Sequence, residues 1–230
     1  MKKILLASAV ALVASSAMAS ENTFYVRADV GAAFMPKANL SVKITGAIVT
    51  AKQKRTNHIV ADLGVGTYLM DNVRVELDLS NNFNAKQSGA AMVGTANLGS
   101  NSTKVRATSL HLKALVDIVD YGYGKVFAGA GVGLTQLSAK STYSANAAAK
   151  AVSVLLVPAV ADPSFSVKAK KKNNVSFLAT VGTSFDVSEG VMLDVAYAYT
   201  DHGKTKNFDT INSKFHFKTH AVTAGVRIEL

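Results

Sequence analysis

The stretch Asn72–Asn82, NVRVELDLSNN, alternates Val73, Val75, Leu77 and Leu79 with Arg74, Glu76, Asp78 and Ser80. A period of two is the pattern of a strand with one apolar and one polar face. The pattern by itself leaves open which face meets water. In a soluble protein the charges point out; in a membrane barrel they point into the lumen and the aliphatic side chains meet lipid.

Working outward, the same alternation recurs in Thr23–Met35, Thr56–Met70, Val105–Ile118, Lys125–Leu137, Asn174–Val187, Val191–Asp201 and Phe217–Leu230. With the opening stretch these make eight candidate strands. Their connections alternate in length: short around 70–72, 119–124 and 188–190, long over 36–55, 84–104, 139–172 and about 202–216. An antiparallel meander trimmed at one end and elaborated at the other is laid out like an outer-membrane barrel, with short periplasmic turns and long external loops.

Lysine placement decides which face is wet. From Ser20 onward the chain has 18 Lys, and all but Lys113 and Lys125 lie in the long connections or at their rims. A soluble sheet keeps its exposed face and edges wet with charges on the strands themselves, so the aliphatic face is expected to meet lipid. Aromatic residues agree. Phe24 and Phe34 bracket the first strand, Phe177 and Phe185 the sixth, and Phe83, Tyr197 and Tyr199 sit toward long-connection ends. Ten residues rising ~3.3 Å each and tilted about 40° span roughly 25 Å, the height of the apolar band between aromatic girdles. The expected fold is all-β: an eight-stranded antiparallel up-and-down transmembrane β-barrel with short periplasmic turns and long extracellular loops.

The N-terminus, MKKILLASAVALVASSAMAS, combines two lysines, a short apolar run and an Ala17-Met18-Ala19 cleavage signature. Residues 1–19 are therefore expected to be a cleaved signal peptide and residues 20–230 the barrel domain. The chain has no Cys, so disulfides contribute nothing to its stability in an oxidising compartment.

Eight strands leave an interior just wide enough for side chains to fill. Arg27, Asp29, Asp62, Arg74, Glu76, Asp78, His111, Lys113, Asp117, Asp194, Arg227 and Glu229 all fall on the polar strand face. They are expected to form an interior ion network that plugs the lumen. Ser109, His111 and Asp117 share that face, but spacing along one strand does not establish the contacts a nucleophile needs. The Gly129–Gly133 G-x-G-x-G run is not followed by a helical pattern, so a phosphate loop is not expected. No catalytic, cofactor-binding or metal-ligating residues are expected, and no enzyme.

With the lumen plugged, function is expected in the long connections. With their rims, 36–55, 84–104, 139–172 and 201–218 hold 17 basic residues against 3 acidic ones. The densest groups are Lys52, Lys54 and Arg55; Lys168, Lys170, Lys171 and Lys172; and Lys204 and Lys206. A concentrated basic rim steers polyanions toward it. Candidate partners are outer-membrane lipid phosphates, acidic host glycans, and host cell-surface or extracellular proteins; nucleic acid is not expected, and the barrel is expected to be monomeric. An apolar run, AVSVLLVPAVA at Ala151–Ala161, interrupts the third long connection, either to pack on the barrel or to contact a partner.

LGVGTYLMDNVRVELD (63–78), VFAGAGVG (126–133), GTSFDVSEGVMLDVAYAYTDHGKTK (182–206) and HAVTAGVRIEL (220–230) resemble OmpA-like outer-membrane β-barrel proteins, and among them the small rickettsial surface adhesins. The resemblance covers most strands and stops at the long connections. It implies a protein of the bacterial outer membrane that attaches to host cells through exposed loops, without a peptidoglycan-binding domain. The alternative is a structural envelope barrel whose lysines hold outer-leaflet phosphates.

Overall fold

The structure, a computed structural model, describes residues 23–36, 38–44, 47–54, 56–93, 96–156, 164–205 and 216–230. The expected signal peptide, Arg55 and Lys206 lie outside these residues.

Among the described residues ten strands form one antiparallel sheet: β1 (Phe24–Met35), β2 (Ala38–Ile44), β3 (Ala47–Gln53), β4 (Thr56–Met70), β5 (Val73–Val93), β6 (Ala96–Asp120), β7 (Gly124–Ala145), β8 (Phe165–Ser188), β9 (Val191–Lys204) and β10 (His216–Glu229). Eight of them close on themselves in the order β5-β4-β1-β10-β9-β8-β7-β6, and β5–β6 pairing completes the ring. Within the ring each strand is paired on both sides, the condition for a sheet to sit in hydrocarbon. The remaining hairpin, β2–β3, hangs from β5 through Val49↔Val93 to Gln53↔Gly89.

The period of two is expressed as inside and outside. Along β5, Arg74, Glu76, Asp78 and Ser80 are buried in the lumen, while Val73, Val75, Leu77 and Leu79 are half-exposed on the outer surface. Ile59, Leu63, Leu112, Val132, Leu134, Val175, Val181 and Val222 extend this outer belt as exposed aliphatic side chains. A soluble protein rarely exposes so continuous an apolar surface. Phe83, Phe177 and Tyr197 face outward near the upper edge of the belt. At the opposite edge Tyr121 contacts Tyr123 and Phe185, with ring centroids 4.8 and 6.4 Å apart. These two tyrosines lie in a short turn that the strand pattern does not mark. At the Ser188–Gly190 turn, Gly190 takes φ +70°, a conformation that favours glycine.

The eight expected strands close the barrel, and above it much of what reads as long loop continues as paired strand. β5 and β6 run on to Val93 and Ala96 across what reads as the 84–104 loop. β7 continues to Ala145 and β8 begins at Phe165, inside the 139–172 connection, and β2–β3 occupies much of 36–55. The reason is contrast. Above the lipid the outer face meets water, so Lys, Ser, Thr and Ala replace Val and Leu, and hydropathy stops alternating although pairing continues.

Helix α1 (Ala147–Leu156) follows β7. Its alanines favour helix, and Asn146 caps it by accepting the Ala149 N–H at 2.9 Å. It ends before Pro158, as the backbone restriction ahead of a proline requires. The apolar run 151–161 is therefore helical over its first half, and 157–163 lies outside the described residues. The buried Ala149 packs in the fold.

Small residues in the lumen make room for large neighbours. A Cβ placed on Gly66 would lie 2.3 Å from the Tyr25 ring and 2.7 Å from the Val75 carbonyl oxygen. The Gly66→Val substitution is expected to destabilise the barrel by about 1–3 kcal/mol through overpacking. The check is the temperature at which the fast-migrating folded band converts to the unfolded one on a denaturing gel; it should fall.

Candidate ligand-binding surface

The lumen is closed by charge pairs. Arg27 Nε lies 2.7 Å from Asp29 Oδ2 and its Nη2 3.4 Å from Glu76 Oε1. Lys113 Nζ bridges Glu76 Oε1 at 2.6 Å and Asp78 Oδ2 at 3.0 Å. Tyr25 donates its hydroxyl to Glu76 Oε2 at 3.2 Å. Toward the short-turn end Arg227 makes a two-pronged contact with Asp194, at 3.1 and 3.3 Å, donates to Ser184 and Tyr68, and lies 3.9 Å from Glu229. Arg74 stands 3.7 Å from Asp117 and over the Phe127 ring, 4.6 Å from its centroid. Lys125 reaches Asp117 from the rim at 4.0 Å.

Asp62 borders the same cluster. The space left between Arg27, Asp62, Asp78 and Thr200 is about 30 Å³, enough for about one or two waters. The lumen is thus a packed interior.

Above the ion pairs sits a polar layer of histidines. His111 Nε2 contacts Ser176 Oγ at 3.0 Å, and His58 Nε2 contacts Asn82 Oδ1 at 2.8 Å. His202 spans the lumen, with Nδ1 3.2 Å from Ser109 Oγ and Nε2 3.0 Å from Thr219 Oγ1. Ser109 therefore meets His202 across the lumen and not His111 on its own strand. Both are 1% exposed beneath Phe217, whose ring lies 4.9 Å from His202. Met35, Val105, Leu137 and Phe217, with alanines of β5–β8, complete an apolar cap over the lumen.

Past this cap, β5–β8 rise on one side of the barrel, and β2–β3 widens them into a six-stranded sheet ordered β2-β3-β5-β6-β7-β8. On the described residues of β5–β8 its inner face is apolar or neutral, buried near the barrel and open at Phe165. Gln87, buried, donates to the Pro36 carbonyl at 2.8 Å, and Thr103 lies 3.2 Å from Ser141. Its outer face carries a row that pairing sets in register: Lys86↔Lys104, Lys104↔Lys140 and Lys140↔Lys168, all exposed. Directly above runs a row of hydroxyls, Ser88↔Ser102↔Thr142↔Ser166. Lys86, Lys104 and Lys140 are missed by reading runs of basic residues, because each stands alone in its own strand; only the hairpin register aligns them.

The residues that sequence reasoning singled out divide accordingly. Lys168, Lys170 and Lys171 are exposed, but they lie on β8 and not in a loop. Lys172 is half-buried, its Nζ donating to the Lys204 carbonyl at 3.2 Å. No described strand pairs with the β8 edge before Phe177, so these lysines also guard an open edge against strand addition. Lys54 is exposed, its N–H bonded to the Ser88 carbonyl, and Lys204 is exposed at the end of β9. The backbone of Lys52 belongs to β3. The structure brings Lys54 and Lys168 to the same extended sheet and sets Lys204 beside its β8 side, next to Lys172. Among the described residues no cluster suits a metal ion.

A family model described as the outer membrane protein beta-barrel domain matches residues 5–228. The chain belongs to this outer-membrane β-barrel family. Two curated relatives carry the name "Putative adhesin": one from Rickettsia bellii, 32% identical over 246 aligned positions, and one from Rickettsia felis, 31% identical over 246, each covering all of both chains. Among solved structures, Neisserial surface protein A aligns over 92% of this chain and 100% of its own, at 16% identity and TM-score 0.51. OprG from Pseudomonas aeruginosa aligns over 91% and 96%, at 13% identity and TM-score 0.52. These barrels show the fold alone. The outer-membrane barrel protein thus resides in the bacterial outer membrane, its aliphatic belt in lipid, and its relatives point to a non-enzymatic role.

Because Glu76 and Asp78 share Lys113, removing that cation leaves these buried carboxylates with the longer contacts to Arg27, 3.4 and 3.9 Å. Lys113→Met is expected to destabilise the barrel by about 3–5 kcal/mol, with Glu76→Gln added to it recovering part of the loss. Urea unfolding in detergent micelles, followed by band mobility, checks both.

Proposed function

We propose that the outer-membrane barrel protein is a surface adhesin that attaches the bacterium to host cells through its basic extracellular sheet, with no pore or enzymatic activity. The observation that carries this is the division of the molecule: a lumen filled by ion pairs, and a lysine-bearing sheet standing free on one side of the mouth. A plugged eight-stranded barrel offers a partner only its outer ends. The names of the rickettsial relatives support the same reading. The buried Ser109–His202 contact supports the absence of catalysis, since a nucleophile must meet its substrate.

The test is display of the full chain on a non-adherent bacterium, counting bacteria bound to cultured animal cells. Attachment is expected to rise several-fold over an empty-vector strain. No gain would leave a structural envelope barrel. Given a gain, changing Lys168, Lys170, Lys171 and Lys172 together to Ser is expected to reduce attachment at least several-fold, with surface display unchanged.

A further inference from the structure

We infer that the outer face of the extracellular sheet is a binding surface for a linear sulfated polysaccharide, which lies across the strands along the row Lys86, Lys104, Lys140 and Lys168. The inference rests on the adhesin reading for its biological use and names the ligand class of that function.

Four lysines stand directly opposite one another on adjacent strands. Like charges so placed repel, and none of the four ion-pairs with a described carboxylate. Asp162 is the sole acidic residue in 36–55, 84–104 and 139–172, so the molecule supplies almost no neutralising charge of its own here. At a strand spacing of about 4.8 Å the row is a straight line of about 14 Å. Such a line matches anionic groups repeated along an extended chain. The hydroxyl row alongside adds a donor: Ser88 donates to Ser102 at 3.3 Å, which leaves the Ser102 hydroxyl proton to meet a sulfate oxygen.

Two observations select this ligand over others. The aromatic side chains of the upper sheet, Tyr143 and Phe165, pair on the opposite face, with ring centroids 5.5 Å apart. A protein partner would call for a buried aromatic or aliphatic anchor, and among the described residues the lysine and hydroxyl rows hold none. The second observation is height. Leu110, Leu134 and Val175 form the top row of the lipid belt on β6–β8, and Lys104 lies six residues further up β6. Six residues at ~3.3 Å, tilted about 40°, raise the row about 15 Å above the hydrocarbon edge. A headgroup layer is about 5–7 Å deep. The row therefore clears the lipid phosphates and faces the medium.

The experiment measures binding of the refolded full chain, in zwitterionic micelles, to immobilised heparin across a salt series. The protein is expected to bind with an affinity that falls steeply with salt. Lys104→Ser with Lys140→Ser is expected to weaken binding at least tenfold. Lys104→Arg with Lys140→Arg should keep it, and Lys125→Ser with Lys218→Ser, which removes the same charge elsewhere, should change it less than twofold. Desulfated heparin should not compete. Folding of each variant is read from band mobility. Undiminished binding by the Lys104/Lys140 serine variant, an equal loss in the Lys125/Lys218 variant, equal competition by desulfated heparin, or capture only by vesicles of anionic phospholipid would overturn the inference. A wild-type protein that promotes attachment equally to cells stripped of sulfated glycans would overturn it while leaving the adhesin reading intact. Heparin binding of the expected pattern without any cell attachment would do the reverse.

Discussion

The constraint on which the rest of the molecule depends is the burial of opposed charges inside a ring of eight strands. Lys113 holds Glu76 and Asp78, Arg27 holds Asp29 and Glu76, and Arg227 holds Asp194. Each ion would be costly to desolvate alone, and pairing across neighbouring strands is what makes the interior tolerable. The same pairs bear on register. A one-residue slip of β5 would carry Arg74, Glu76 and Asp78 into lipid and Val75 and Leu77 into the charge network. Shape and charge therefore demand the same alignment. Among the described residues the centre of the barrel is filled by these pairs.

That closure is why the extracellular sheet matters. Most barrel strands need only enough length to cross lipid, and β1, β4, β9 and β10 stop close to that length. β5–β8 continue well past it, and continued pairing converts lysines that are scattered in sequence into a row. A flexible loop would lose conformational entropy each time it presented those charges to a polyanion. A sheet already holds them in line. The β8 edge that no described strand pairs is guarded against strand addition by the lysines it carries, so on that strand solubility and the proposed recognition draw on the same residues.

How much of this could be read beforehand follows from where hydropathy has contrast. In Asn72–Asn82 an aliphatic residue alternates with a charge, so parity alone assigns Arg74, Glu76 and Asp78 to the lumen and their neighbours to lipid. Parity does not reveal that Lys113 bridges two carboxylates or that His202 crosses to Ser109, because strand register and shear set those contacts. In 84–104 the alternation is between Lys86, Ser88 and Ala90 on one face and Gln87, Gly89 and Ala91 on the other, too faint to separate strand from loop. The proposed binding surface is obscured for the same reason. Lys168–Lys172 is conspicuous as a run, whereas Lys86, Lys104 and Lys140 become neighbours only through hairpin pairing. Tyr121 and Tyr123 were likewise hidden in a turn, although they supply the aromatic edge at the short-turn end.

The central claim is that the barrel is filled and that its function lies outside it. Planar-bilayer recording of the purified full chain tests this most directly. With Arg27, Glu76, Asp78 and Lys113 in mutual contact and little more than a water's space left between them, the account predicts no stable conductance above the bare bilayer. Reproducible, long-lived unitary current steps would contradict it.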